Sequence, residues 1–287
     1  MTRSTWLTTS RDISDRKNRT MTGMVGVPVL VAMLLLVASP VAIADREPDY
    51  EREERLAQEA IAGLFDGEVI YLNDGKREFL SLLSEPEDSE FDGAVLLLHG
   101  RGFHPDWPQV AGPLREGLGE LGITTLSLQM PVLAKDAKYY EYLEILDESF
   151  PRIQVGIDYL MNSNYGWIAV VAHSCSVHMT MGWIKEIDNV PFDAYVGIGM
   201  GATDYGQPML EEFPLSSIPV PVLDVFGDQD YPAVINAADR RAAAIVAAGN
   251  SRSQQIQLSG PDHFFEDYED VLVETVGEWI LAARKPE

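Results

Sequence analysis

The chain has 287 residues, with 21 Lys and Arg against 45 Asp and Glu, a formal net charge of −24. That balance repels phosphate backbones and anionic lipid surfaces, which argues against a nucleic-acid partner. Cys175 is the only cysteine, so an intramolecular disulfide is excluded and the fold must be held by its core.

Residues 1–20 carry Arg3, Arg11, Arg16, Lys17 and Arg19. An apolar run follows from Val25 to Ala38, and then Ala42-Ile43-Ala44, a small-x-small cleavage pattern. Basic, apolar and small-residue regions in that order predict a secretory signal peptide over residues 1–44, cleaved near Ala44. A membrane anchor is the alternative, but the run falls short of the roughly 20 apolar residues a span needs, and acidic sequence follows at once. No cysteine follows the run and no adjacent arginine pair precedes it. Sec-type export to the periplasm or beyond is therefore expected, with no stable membrane anchor after cleavage. Residues 1–44 hold five of the basic and two of the acidic residues, which leaves a net of −27 on the remaining 243. That length suits one α/β domain with a single core.

Residues 45–66 are charge-dense. Glu51 to Leu64 fits a helix with Leu56, Ala60 and Leu64 on one face, expected as a solvated, acidic helical lead-in to a domain over 67–287. Glu68 to Leu72 and Phe79 to Leu83, joined by Asn73-Asp74-Gly75, predict an antiparallel hairpin. The continuous apolar run Ala94 to Leu98 has the character of a strand buried on both faces. A helix from Pro113 to Leu121 follows, with Pro113 in its first turn and Gly122 at its end. Further strands are expected at 123–128, 168–172, 194–199, 220–226 and 253–258. Helices are expected at 139–150 and 152–162, divided by Pro151, then at 179–187, 233–248 and 268–283. An N-terminal hairpin followed by repeated strand–helix units implies an α/β fold with an open, mostly parallel sheet and helices on both faces. Ligands in such sheets bind beyond the carboxyl ends of the strands.

Three short segments fall at strand ends: His99-Gly100-Arg101-Gly102, His173-Ser174-Cys175-Ser176 and Gly227-Asp228-Gln229-Asp230. Ile168 to Ala172 leading into His173-Ser174 has the shape of a nucleophile elbow, the strand–turn–helix that raises a serine above a parallel sheet. The elbow pattern is G-x-S-x-G, and here Ala172 and Ser176 stand at the glycine positions, the next-smallest choices. His263 follows the last strand, and the order Ser174, Asp230, His263 is the order of a hydrolase triad.

These segments make the chain resemble the α/β-hydrolase superfamily over residues 68–283. The stretch from His99-Gly100-Arg101-Gly102-Phe103-His104-Pro105-Asp106-Trp107-Pro108 through Pro113-Leu114-Arg115-Glu116-Gly117-Leu118 to Pro131 resembles more closely a proteobacterial family of exported α/β-hydrolase-like proteins without an assigned function. The resemblance implies an exported serine hydrolase for an ester or related acyl bond, with a small-molecule or acyl substrate and no cofactor. Ser174 would be the nucleophile and His263 the base that takes its proton. Asp230, in a G-x-x-D turn, would fix the histidine tautomer, with Asp228 the competing acid. Backbone N–H groups of Arg101 and Cys175 would form the oxyanion hole.

Each residue also has a plainer role. Ser174 fits a helix N-cap. His263 fits a surface residue, and Asp230 an ordinary turn acid. Cys175 reads as a small core-like group rather than a thiol nucleophile. His99 and His173 read as packing and hydrogen-bonding residues, Phe103, Trp107 and Trp183 as core or pocket wall, and His104 and His178 carry no assignment. No metal-ligand spacing is present. The segment 131–150 is expected to shield the pocket, and the link from Met200 to Pro219 is too short for a large cap. The competing function is a catalytically silent hydrolase fold used as a periplasmic binding or envelope-maintenance module.

Overall fold

The structure, a computed structural model, describes residues 46–87 and 89–284. The expected signal peptide lies outside the described residues. Eight strands form one sheet in the order β1-β2-β4-β3-β5-β6-β7-β8. These are β1 (Glu68–Asn73), β2 (Glu78–Ser84), β3 (Gly93–Leu98), β4 (Thr124–Leu128), β5 (Trp167–His173), β6 (Ala194–Ile198), β7 (Val222–Gly227) and β8 (Gln254–Leu258). The hairpin β1–β2 and the β2–β4 pair are antiparallel; every other neighbouring pair is parallel. This is the α/β-hydrolase arrangement expected from the sequence.

The helices are α1 (Tyr50–Gly63), α2 (Ala111–Glu120), α3 (Tyr139–Leu143), α4 (Phe150–Asn162), α5 (Cys175–Glu186), α6 (Pro232–Asn236), α7 (Ala238–Ala247) and α8 (Glu269–Arg284). The central strands are apolar on both faces because both faces are covered. Val95, Leu97, Ala169, Val171, Val196 and Val225 face α2 and α8, where Leu114, Leu118, Leu272, Val276 and Ile280 complete one core. The alternate residues Leu96, Leu98, Leu126, Val170 and Ala172 pack with Ile153, Ile157, Val177 and Met181 of α4 and α5. Among the described residues no helix is long and apolar enough to cross a membrane.

Several boundaries differ from the sequence reading. Helix α5 starts at Cys175, four residues before the expected Met179, so the elbow leads straight into it. Pro151 lies in the first turn of α4 rather than between two helices, where its missing N–H leaves no intrahelical bond unmade. The helix expected over 233–248 is two pieces, broken at Ala237.

The larger correction concerns residues 45–66. Helix α1 is not a solvated lead-in; it is packed into the domain. Asp49 caps it, accepting from Arg52 N at 2.9 Å. Ala57 and Ala60 bury against Leu80 and Leu82 of β2. Glu53 is 4 % exposed and pairs with the buried Arg152 of α4 at 2.9 Å. Arg152 also bonds Asp74 in the hairpin turn at 3.1 Å and the Gln129 carbonyl at 2.9 Å. Charge density misled the expectation because Glu53 is neutralised by a partner 99 positions away in sequence.

Candidate active site

The carboxyl ends of β3, β5, β6 and β7 converge on one small cavity. Strand β5 ends at His173, and Ser174 follows with φ 55° and ψ −113°, a left-handed conformation that a serine adopts only where its surroundings force it. Its backbone N–H donates to Ile198 O at 2.9 Å, which ties the turn to β6. Ala172 is fully buried between Leu98 and Gly197 in the register, so little beyond a methyl fits there. Ser176 is also buried, and its hydroxyl donates to the His99 carbonyl, anchoring the elbow to the end of β3. The two substituted elbow positions thus keep a tight turn with small side chains.

Although Ser174 occupies the N-cap of α5, its side chain makes no capping hydrogen bond. Its Oγ donates instead to His263 Nε2 at 2.8 Å. His263 Nδ1–H donates to Asp230 Oδ1 at 2.7 Å. Asp230 Oδ1 also accepts from Tyr231 N at 2.6 Å, which holds the carboxylate in place. His263 and Asp230 are 2 % and 4 % exposed, whereas Ser174 is only partly covered, so the chain of hydrogen bonds runs from the interior to an accessible hydroxyl. Asp228 is elsewhere: exposed, it accepts from Ser259 Oγ at 3.0 Å and from Gly260 N at 2.9 Å, folding the loop that precedes His263.

The remaining sequence candidates separate cleanly. Arg101 and Cys175 line the cavity beside Ser174. Cys175 opens α5, where first-turn N–H groups have no intrahelical acceptor, and among the described residues the Arg101 N–H makes no hydrogen bond. Both residues that line the cavity beside Ser174 thus carry a backbone N–H with no acceptor among the described residues. Burial pushes the Cys175 thiol up to about 12, so it stays protonated at neutral pH. His99 accepts from Met130 N at 2.9 Å through Nε2, and its Nδ1–H donates to the Gly100 carbonyl at 2.8 Å. His173 Nε2–H donates to the His263 carbonyl at 3.0 Å, fixing the loop that carries His263. Burial lowers both imidazoles to about 3, so both are neutral.

Much of the specific motif after β3 is structural. Arg115 is fully buried and donates to Asp106 Oδ1 at 2.7 Å, to Asp66 O at 2.8 Å and to Ser84 Oγ at 2.8 Å. Phe103 stacks on Trp107 with centroids 4.2 Å apart and meets Phe264, next to His263, edge-on. His104 Nδ1 accepts from Asp106 N at 3.2 Å. Trp183 is core.

Several site residues escaped the sequence reading. Tyr231 stacks on the His263 ring at 4.3 Å. Asp204 takes a two-point ion pair from Arg101, at 2.5 and 3.1 Å, and also accepts from Tyr139 N at 2.6 Å. This links the loop after β3 to α3, and Tyr139 of the segment 131–150 does wall the cavity. The Asp204 carboxyl is partly buried, which alone would raise its pKa; the Arg101 guanidinium and the Tyr139 N–H outweigh that and hold it below the usual carboxylate range. Neither Asp204 nor Tyr231 lies in a pattern that sequence spacing could single out. Among the described residues no group of three or more His, Cys, Asp or Glu side chains is placed to hold a metal ion.

Sheet, elbow and loop order define the fold class: the chain has the α/β-hydrolase fold. Solved structures agree. Est1E from Butyrivibrio proteoclasticus superposes with a TM-score of 0.58 at 16% identity, covering 76% of this chain and 99% of that one. An α/β serine hydrolase homologue from Coxiella burnetii gives 0.54 at 16% identity, over 75% and 98% of the two chains. A hyperthermophilic esterase from Pyrobaculum calidifontis gives 0.56 at 14% identity, over 82% and 94%. Residues 27–142 match a family described as a protein of unknown function, DUF3530. No curated protein matches the sequence.

Proposed function

We propose that the protein is an exported serine hydrolase that cleaves an ester or related acyl bond. The observation that carries the reading is the unbroken hydrogen-bond chain Ser174 Oγ to His263 to Asp230, on a serine whose hydroxyl does not cap its helix. In this reaction His263 Nε2 takes the Ser174 proton as Oγ attacks the acyl carbon. The carbonyl π electrons move to oxygen, and the N–H groups of Arg101 and Cys175 receive that charge. Collapse of the tetrahedral adduct breaks the bond to the leaving oxygen, which takes the proton from His263. Water, deprotonated by the same nitrogen, then attacks the acyl-serine, and the proton returns to Ser174 Oγ. Asp230 stabilises the imidazolium in both halves. No step needs a cofactor. Export rests on the pattern of residues 1–44.

The test is labelling by a fluorophosphonate probe. Wild-type protein is expected to label and Ser174→Ala is not. Folded protein that fails to label anywhere from about pH 6 to 9, where a neutral imidazole base should act, would instead mark a silent hydrolase fold serving as a binding or envelope module.

A further inference from the structure

We infer that the substrates are esters joining a short acyl group, acetyl above all, to a bulky, ring-bearing alcohol. The inference rests on the serine hydrolase reading of Ser174 and names the two halves of its substrate. Two spaces of very different size meet at the serine. The cavity that holds Ser174 together with Arg101 and Cys175 has a volume of only about 20 Å³. A single water needs roughly 10–15 Å³ by the same measure, so this cavity admits one or two groups of that size, such as a methyl. Beside it, sharing Thr203 and Tyr231, lies a groove of about 550 Å³. That is the size of a site for a whole small molecule, roughly 300–1,000 Å³.

The chemistry decides which half goes where. The carbonyl oxygen must reach the N–H groups of Arg101 and Cys175, residues that line the small cavity; with the leaving oxygen turned toward the groove, the acyl chain is left only the rest of that cavity. The leaving oxygen must lie by His263 Nε2, and the groove reaches that ring through Tyr231, stacked on it at 4.3 Å. The alcohol therefore occupies the groove.

The small cavity cannot readily widen. Its wall residue Tyr139 is 3 % exposed; its N–H is bound by Asp204 at 2.6 Å, and its ring lies 4.8 Å from His178. His178 Nε2–H in turn donates to the Ala202 carbonyl at 3.0 Å. A longer acyl chain must break this buried set. The groove, in contrast, is lined by Tyr205, Pro208, Pro232 and Ala233, and the whole Tyr205 side chain is open to solvent. A large ring left fully exposed in the groove that adjoins the serine's cavity is a platform for a flat partner, either an aryl ring or the apolar face of a sugar.

The experiment counts active Ser174 with a fluorophosphonate, then measures kcat/KM for 1-naphthyl acetate, butyrate and octanoate. Activity is expected to fall about tenfold or more from acetate to butyrate. Tyr139→Ala is expected to shift the preference toward butyrate, with Thr203→Ala, at a partly exposed wall position, as the second enlarging variant if the first does not fold. For the alcohol half, benzyl acetate and glucose pentaacetate are compared with ethyl acetate. Tyr205→Ala should lower kcat/KM for a ring acetate about fivefold more than for ethyl acetate. The comparison of each substrate between wild type and variant cancels leaving-group reactivity. Whichever ring substrate responds identifies the source as aryl or sugar. Labelled protein with equal rates on acetate, butyrate and octanoate overturns the acyl assignment and leaves the hydrolase standing. Equal effects of Tyr205→Ala on all three acetates overturn the alcohol assignment. No labelling and no hydrolysis overturn both this inference and the reaction beneath it.

Discussion

Gly199 lies directly against the imidazole of His263. A Cβ built on Gly199 would come within 2.7 Å of His263 Cε1 and 2.9 Å of Nδ1, and Gly199 itself has φ +62°. The residue after β6 must therefore be glycine for two reasons, a left-handed backbone and a base that occupies the space a side chain would take. Gly199→Ala is expected to fold, since the sheet it ends is unaffected, but to displace the ring. A misplacement of about 1 Å in a reacting group can lower turnover about 100-fold. The check is kcat alongside far-UV circular dichroism; a folded variant with wild-type kcat would refute the relationship.

Asp230 and Asp228 sit two residues apart in one turn and have unrelated tasks. Asp230→Asn keeps the geometry but removes the charge that fixes the Nδ1–H tautomer, and kcat is expected to fall by about 10⁴. Asp228→Asn retains an oxygen for the Gly260 N–H and should change kcat by only a few-fold. Paired ester-hydrolysis assays decide it, and the reverse ranking would move the acid to Asp228.

How far the sequence carried this depends on the range of the signal. The buried parallel strands were legible because five or six consecutive apolar residues, such as Ala94 to Leu98, have few other uses. The hydrogen-bonded set of Ser174, His263 and Asp230 was legible as an ordered series of residues at strand ends. What failed was anything decided by long-range partners. Helix α1 looked solvated because the neutralising Arg152 is far along the chain, and Asp204 had no local mark because its meaning comes from Arg101. The choice between Asp230 and Asp228 needed the register of the loop after β8, where Ser259 and Gly260 claim Asp228. Helix ends at Ala237 and Leu143 also depend on what packs beside them rather than on propensity.

Three of the five buried histidines give the fold a defined acid response, and burial lowers His104 in the same direction. Burial lowers His99 and His173 to about 3 and His178 to about 4, well under the unfolded value of about 6.5. The unfolded chain thus binds protons that the folded one refuses. The stability these groups contribute is complete above about pH 6.5 and is lost as pH falls toward their folded values. Each such group costs about 1.4 kcal/mol per pH unit below pH 6.5, or about 4 kcal/mol for three. Glu53 and Asp224 oppose this, because burial raises their folded pKa values above those of exposed carboxyls and the folded chain takes up those protons first as pH falls. Melting temperature is expected to fall steeply between pH 6.5 and 5. A flat profile over that window would mean that these imidazoles charge in the folded state.

The last prediction concerns Arg52 of α1, which joins the segment once expected to be a lead-in to the oxyanion loop. Its Nη2 donates to the Gly102 carbonyl at 2.8 Å and its Nη1 to the Leu133 carbonyl at 2.7 Å. Gly102 follows Arg101, which lines the cavity beside Ser174, so this fork holds that loop and ties it to the segment leading into α3. A lysine offers one compact ammonium where the two carbonyls need a planar fork. Arg52→Lys is therefore expected to leave one carbonyl poorly satisfied, at a stability cost of about 1–3 kcal/mol. Arg52 acts as a positioning residue, so its loss should fall on transition-state binding. Turnover should drop about tenfold, less than the 10²–10³ for deleting an oxyanion donor outright, with KM little changed. Denaturant melts and steady-state kinetics separate the two effects. A variant that loses stability with kcat intact would make α1 a brace for the fold alone, whereas a fall in kcat at temperatures where the protein is fully folded would extend the active site to a helix some 50 residues before the oxyanion loop.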